Sequence, residues 1–246
     1  MDETGDTIDR DEINRFAAQS AGWWDPKGNF APLHRLNPVR LEFIRHELLA
    51  HFARDTRSLR PFDGLTLVDI GCGGGLIAEP MARLGFSVTG IDAAAEAIDV
   101  ARAHADETGL AIDYHVGSAE ASANEGRQFD VVLALEIVEH VADQSAFFAA
   151  LGKLARPGGA FIGATLNRTT RSYALAIVGA EYVLGWLPRG THDWKRFVRP
   201  SEFVLGLRRS GLSTTRLAGL GYNPLSQNWA LSGDLAVNYM LTAVRR

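Results

Sequence analysis

Residues 65–78 read Leu-Thr-Leu-Val-Asp-Ile-Gly-Cys-Gly-Gly-Gly-Leu-Ile-Ala, and no other stretch constrains the fold as tightly. Leu67 to Ile70 supply a buried, β-rich strand, and a helical pattern opens at Leu76. Glycine at 71, 73, 74 and 75 leaves Cys72 as the one side chain in the turn. The backbone there is free to take positive φ, and a ligand can lie against the main chain.

Spacing narrows the ligand. A dinucleotide-binding turn needs glycine at the sixth position counted from Gly71, and Leu76 stands there. Asp69, two residues before the turn, would repel a pyrophosphate but receive an ammonium or sulfonium group. Asp92 follows a second apolar strand, 87–91, at a spacing that suits an acid accepting both ribose hydroxyls of an adenosine.

At these residues the chain resembles the S-adenosylmethionine-dependent methyltransferases of Rossmann-like fold. Asp69-x-Gly71-x-Gly73-x-Gly75 followed by Asp92 matches their first two motifs. The resemblance implies a class I methyltransferase: an α/β protein with a seven-stranded, mostly parallel sheet, N-terminal helices and S-adenosyl-L-methionine as methyl donor.

The rest of the chain is read around that unit. Its 246 residues suffice for one α/β domain with a full core. Residues 1–8 read as a frayed polar tail and 9–60 as a helical lid. Residues 61–246 read as the Rossmann-like core, with an insertion at 167–200. Within the lid, helices are expected over 9–24 and 39–52, joined by an aromatic and proline-rich loop. Strands are expected near 65–70, 87–91, 112–116, 129–135, 160–166, 213–220 and 236–244, with helices over 76–84, 94–108, 143–155 and 201–210. Arg40 falls in the first turn of the helix expected from Val39, where the helix dipole disfavours a cation, so it needs a partner elsewhere.

The fourth strand, Phe129 to Leu135, runs into Glu136-Ile137-Val138-Glu139-His140-Val141. Ligands of open α/β sheets bind beyond the carboxyl ends of strands, so this segment should face the cofactor. If Glu136 opens a helical turn, Glu139 and His140 share its face, and the three could hold a divalent cation that eases deprotonation of a phenol. Equally, Glu136 binds water, Glu139 caps a helix and His140 is an ordinary base or a structural histidine.

Further stretches sharpen the resemblance: Trp23-Trp24-Asp25 to Arg40-Leu41, Glu136 to Val141, Leu166-Asn167-Arg168 with Val178 to Tyr182, Gly190 to Asp193, Tyr222-Asn223-Pro224 and Asn238-Tyr239-Met240. Together they are similar to the bacterial O-methyltransferases of ubiquinone biosynthesis, relatives of the mitochondrial coenzyme Q methyltransferases. The resemblance implies O-methylation of a 2-polyprenyl-6-hydroxyphenol and of a 3-demethylubiquinol. It implies cofactor contacts at Arg40, Gly71, Asp92 and Leu135, beside Asp69 and Gly73 of the turn, with Arg40 pairing the cofactor's α-carboxylate. Glu136, Glu139 and His140 would be the catalytic group and the ligands of magnesium. Where the family often has an aspartate contacting adenine, Gly117-Ser118-Ala119-Glu120 stands instead, leaving Ser118 and Glu120 as candidates. The motifs also fit a methyltransferase for another small hydroxylated acceptor, or a lipid-binding component of a quinone-synthesis assembly that lacks catalysis.

Residues 173–187 are largely apolar, with Arg168, Arg171, Arg189, Lys195, Arg196 and Arg199 on their flanks. They are too few and, with Glu181, too polar to span a bilayer. They suit either a helix in the interface of an anionic membrane, Tyr182 and Trp186 at headgroup depth, or a buried cover for the site. His192 and Asp193 beyond them could supply a base or merely order the loop. The net charge of −4 gives no footprint for nucleic acid, and Cys72, the single cysteine, fits a reducing compartment. The acidic N-terminal stretch lacks the basic and apolar regions of a secretory signal. The expected location is the cytoplasm, peripheral at the inner face of the cell membrane, with other ubiquinone-synthesis enzymes as associates.

Overall fold

The computed structural model describes residues 20–175, 177, 193–223 and 228–246. The expected tail, most of the first helix, most of the apolar stretch at 173–187, His192 and Pro224 lie outside the described residues. After a short 3-10 turn at Ser20–Gly22 come α1 (Ala31–His51), β1 (Thr66–Ile70), α2 (Ala78–Arg83), β2 (Ser87–Asp92), α3 (Ala95–Glu107), β3 (Asp113–Val116) and α4 (Ala119–Asn124). They are followed by β4 (Phe129–Leu135), α5 (Gln144–Leu154), β5 (Ala155–Leu166), α6 (Pro200–Arg209), β6 (Leu212–Asn223), β7 (Asn228–Ser232) and β8 (Asn238–Arg245).

One sheet runs in the order β3-β2-β1-β4-β5-β8-β6-β7, parallel through β5 and antiparallel beyond it. Alternation along the strands sorts the core onto two faces. Leu67, Val131 and Leu133 pack with α1, α2 and α3, while Val68, Val132 and Ala134 pack with α4, α5 and α6. Covering both faces is what a parallel sheet requires, and it explains why all seven residues of β4 are buried. Asp130 is tolerated there because Arg156 pairs with it and Thr66 donates both its amide and its hydroxyl to Oδ2. Strand order reverses between β1 and β4, which puts the ligand crevice beyond their carboxyl ends.

Three expectations are corrected. The sheet has eight strands among the described residues, because Asn228–Ser232 adds an outer edge to β6. Its Trp229 and Leu231 give an apolar alternation too short to stand out. Helix α4 was not foreseen; its six residues begin where the Ser118 side chain accepts from the Ala121 amide. Finally, α1 starts at Ala31, not Val39. Pro32 sits in its first turn, and Pro38 lies inside it, flanked by buried Leu36, Asn37 and Val39, so tertiary burial carries the helix through a residue that reads as a start. Arg40 is therefore mid-helix, and the dipole argument for its partner does not apply.

Among the described residues no helix is long and apolar enough to cross a membrane. The described ends of the insertion are tied down: Thr169 caps the helical turn Thr170–Ser172, Trp194 Nε1 donates to the Thr169 carbonyl, and Arg168 pairs with Glu202. Tyr173 and Leu175 are about half exposed.

Candidate active site

The glycine turn joins β1 to the stretch preceding α2, and Gly71, Gly73 and Gly75 have φ of 73°, 51° and 88°. These are left-handed conformations that only glycine adopts without strain. The bare Cα atoms, expected to receive a ligand, are occupied by the protein's own side chains. A Cβ at Gly71 would lie 2.9 Å from Ile137 Cδ1, one at Gly73 2.4 Å from Trp23 Cη2, one at Gly74 2.5 Å from Trp23 Cβ, and one at Gly75 2.3 Å from Tyr114 Oη.

Two acids frame the turn. Asp92 at the end of β2 accepts from the Gly73 amide at 2.8 Å and the Ala94 amide at 2.9 Å, which fixes its carboxylate against the turn. Burial raises its pKa, and those amides oppose the rise. Asp69 is 3% exposed; burial, then the nearby charge of Asp92, push its pKa up to about 7. Neither acid forms an ion pair among the described residues. A carboxylate held in apolar surroundings without a counter-ion is a seat for a cationic ligand.

Across the reversal point, buried Arg40 donates from Nη2 to Glu136 Oε1 at 2.5 Å. Its Nε has no partner, and Nη1 makes only a 3.5 Å contact with Asn37 Oδ1. The guanidinium thus keeps donor capacity for a second anion. Leu135, the last residue of β4 and the chain neighbour of Glu136, is buried.

Glu136, Glu139 and His140 do not share one helical face. Glu136 takes φ of 53°, a left-handed conformation uncommon outside glycine, and its amide donates to the Ala164 carbonyl at 2.9 Å. That bend ends the strand and breaks the expected helical spacing. Glu136 turns to Arg40, while Glu139, 3% exposed, accepts from Thr165 Oγ1 at 2.8 Å. Burial and then the charge of Glu136 raise the Glu139 pKa well above the carboxylate range. His140 closes the turn, its amide donating to the Ile137 carbonyl at 2.9 Å. Among the described residues no three His, Cys, Asp or Glu side chains are grouped to hold a metal ion. Glu136 gives one oxygen to Arg40, and Glu139 gives Oε2 to Thr165 while its Oε1 is buried without a hydrogen-bond partner.

Of the remaining candidates, Ser118 spends its oxygen on capping α4, Glu120 is 9% exposed in that helix, and Asp193 accepts from the Lys195 amide, ordering its loop. Sequence reasoning missed Thr165, which is buried and carries no motif, and the contact of Trp23 with the turn. The density of aromatics at 23–30 was the available signal for the latter.

Comparison with known proteins agrees with this geometry. A family described as a methyltransferase domain matches residues 68–163. The solved magnesium protoporphyrin IX methyltransferase of Synechocystis PCC 6803 with bound SAH superposes with a TM-score of 0.63 at 21% identity, covering 96% of this chain and 94% of that one. The chain is a class I S-adenosylmethionine-dependent methyltransferase. The ubiquinone biosynthesis O-methyltransferase of Paramagnetospirillum magneticum is 55% identical over 245 residues, 100% of this chain and 98% of that protein. That of Methylobacterium nodulans is 54% identical over 242 residues, 98% of this chain and 97% of that protein. The chain belongs to the ubiquinone biosynthesis O-methyltransferase family.

Proposed function

We propose that this enzyme performs both O-methylations of ubiquinone biosynthesis, on a 2-polyprenyl-6-hydroxyphenol and on a 3-demethylubiquinol. The observation that carries the reading is the charge layout at the strand ends: two acids without counter-ions on one side of the crevice, Asp69 buried and Asp92 partly exposed, and a buried guanidinium with an unused Nε–H on the other. That layout complements a donor with a cationic amino and sulfonium end and an anionic α-carboxylate.

In this reading Asp69 receives the donor's cationic end, Asp92 accepts its ribose hydroxyls, and Arg40 takes its carboxylate while keeping Glu136. Gly71, Gly73 and Leu135 shape the walls of the seat. When bound, S-adenosyl-L-methionine supplies an electrophilic methyl group on sulfur. Glu136 and His140, at the carboxyl end of β4, take up the proton that the acceptor hydroxyl loses, and Glu139 holds that turn in place through Thr165. A polyprenylated substrate lives in the bilayer, so the basic flank Lys195, Arg196 and Arg199 supports peripheral contact with anionic lipid, where other ubiquinone-synthesis enzymes would be met, while Arg168 and Arg171 are ion-paired to Glu202 and Asp234.

Mass spectrometry of products formed from each acceptor tests the proposal. Methylated product from both supports it; product from neither, alongside turnover of another hydroxylated compound, overturns it. Vesicle flotation should show binding that grows with anionic lipid; equal flotation on neutral vesicles would sink the membrane part alone.

A further inference from the structure

The bare main chain at Gly73 and Gly74 is filled by Trp23. The indole stacks on Phe30, ring centroids 3.9 Å apart and planes 10° off parallel. Its Nε1–H is buried with no hydrogen-bond partner, and its carbonyl is 2.8 Å from His34 Nε2. The next residue is fastened independently. Trp24 Nε1 donates to the Gly74 carbonyl at 2.9 Å, and its ring stacks on His104 of α3 with centroids 3.5 Å apart. His104 Nδ1 in turn pairs at 2.5 Å with Glu79 of α2, which is fully buried. Two adjacent tryptophans thus clasp a turn fifty residues further along the chain, one by its ring and one by its N–H.

Gly74 has no positive φ, so backbone conformation does not require glycine there. What requires it is Trp23, whose Cβ and Cγ leave no room for a side chain. A turn serving only a ligand would need neither this contact nor the Trp24 hydrogen bond, and a buried donor with no partner is costly unless something visits it.

We propose that Trp23 is a wall of the donor seat, its Nε1–H and ring touching the bound donor, and that Trp24 is a positioning residue holding that wall on the turn. This rests on the donor lying between Asp69, Asp92 and Arg40. An indole beside a sulfonium gains cation–π attraction, and the hydrogen bond adds to it.

The test is calorimetric binding of S-adenosylhomocysteine and S-adenosylmethionine to the full chain. Trp23→Ala should weaken S-adenosylmethionine about tenfold or more, and Trp23→Phe should recover part of that. Trp24→Phe, which keeps the ring but loses the N–H, should cost about fivefold. Each should raise KM for the donor with little change in kcat, a split that general loosening of the fold would not give. Gly74→Ala should weaken binding in the wild type yet add nothing in the Trp23→Ala background, because the two changes remove one contact. Should Trp23→Ala fail to fold, Trp23→Phe decides: the tryptophan emission change on adding S-adenosylhomocysteine should be largely lost in it, and an undiminished change overturns the proposal. Wild-type affinity in Trp23→Ala, tighter binding as a plug would give, or additive losses with Gly74→Ala also overturn it. Asp92→Ala run alongside separates the two levels. If it binds normally, the seat itself is misplaced; if it loses binding while Trp23→Ala does not, only the clasp falls.

Discussion

Around the glycine turn, two carboxylates wait without counter-ions, and main-chain amides hold one of them in place. At the end of β4, one strand away, each carboxylate is already held by another side chain, Glu136 by Arg40 and Glu139 by Thr165. Both regions lie on parallel strands at the point where strand order reverses. The difference is in what completes them. In the proposed reading the donor side is completed by a ligand, so its unfavourable charges are part of its use. On the acceptor side each carboxylate has one oxygen tied to a side chain, which helps fix a turn whose leading residue is held at positive φ, while Glu139 Oε1 stays buried without a partner.

Breaking the Arg40–Glu136 pair should give the largest effect on stability. Arg40→Met leaves Glu136 with its side chain 21% exposed and without its cation, and a loss of about 2–3 kcal/mol is expected, discounted from a fully buried pair for that exposure. Denaturant titration without donor measures it. Adding Glu136→Gln should return much of that stability while donor affinity stays low, because Arg40 serves both sides and Glu136 only one. An unchanged unfolding midpoint in Arg40→Met would erase the claim that this pair helps fix the acceptor side.

The contrast also explains what the sequence disclosed. Asp69, the glycines and Asp92 are legible because local geometry dictates them: a strand end, a tight turn and a second strand end at fixed spacing. The parallel strands were legible because fully buried strands are continuous apolar runs, as in β4. Glu139's partner was not legible, since Thr165 reaches it from β5, 26 residues away in sequence, and a buried threonine in a strand looks like any other. The bend at Glu136 was hidden too, because Glu-Ile-Val-Glu-His carries helical spacing and no glycine to announce a left-handed residue. Pro38 misled the reading of α1 since local preference pointed to a start that packing overrode.

The donor side can be sharpened by pH. Folded Asp69 titrates at about 7 against 3.8 for the free group, so between these values the folded chain holds a proton that the unfolded chain has lost. Its contribution to stability is therefore greatest at low pH and declines as pH rises through about 7. A cationic donor prefers the ionised form, which reverses the sense for binding. From pH 6 to pH 8 the Asp69-dependent part of donor affinity should rise about tenfold, read as the difference between wild type and Asp69→Asn. Calorimetry in buffers of different ionisation enthalpy should show a proton released on binding near pH 7 in the wild type alone. Parallel profiles in the two proteins would mean that Asp69 does not meet the donor's charge.

The smallest change probes the acceptor side from behind. Thr165→Val keeps the shape of a fully buried side chain and removes only the hydroxyl that Glu139 Oε2 accepts at 2.8 Å. The expected loss of stability is about 1–3 kcal/mol, because the change leaves a buried carboxyl oxygen of Glu139 without its donor. Because Thr165 supports the Glu136–His140 turn and nothing of the glycine turn, kcat should fall while the Kd for S-adenosylhomocysteine stays where it was. A Kd that moves in step with kcat would show that the two sides, one waiting for a ligand and one tied to the protein's own side chains, are not separately built.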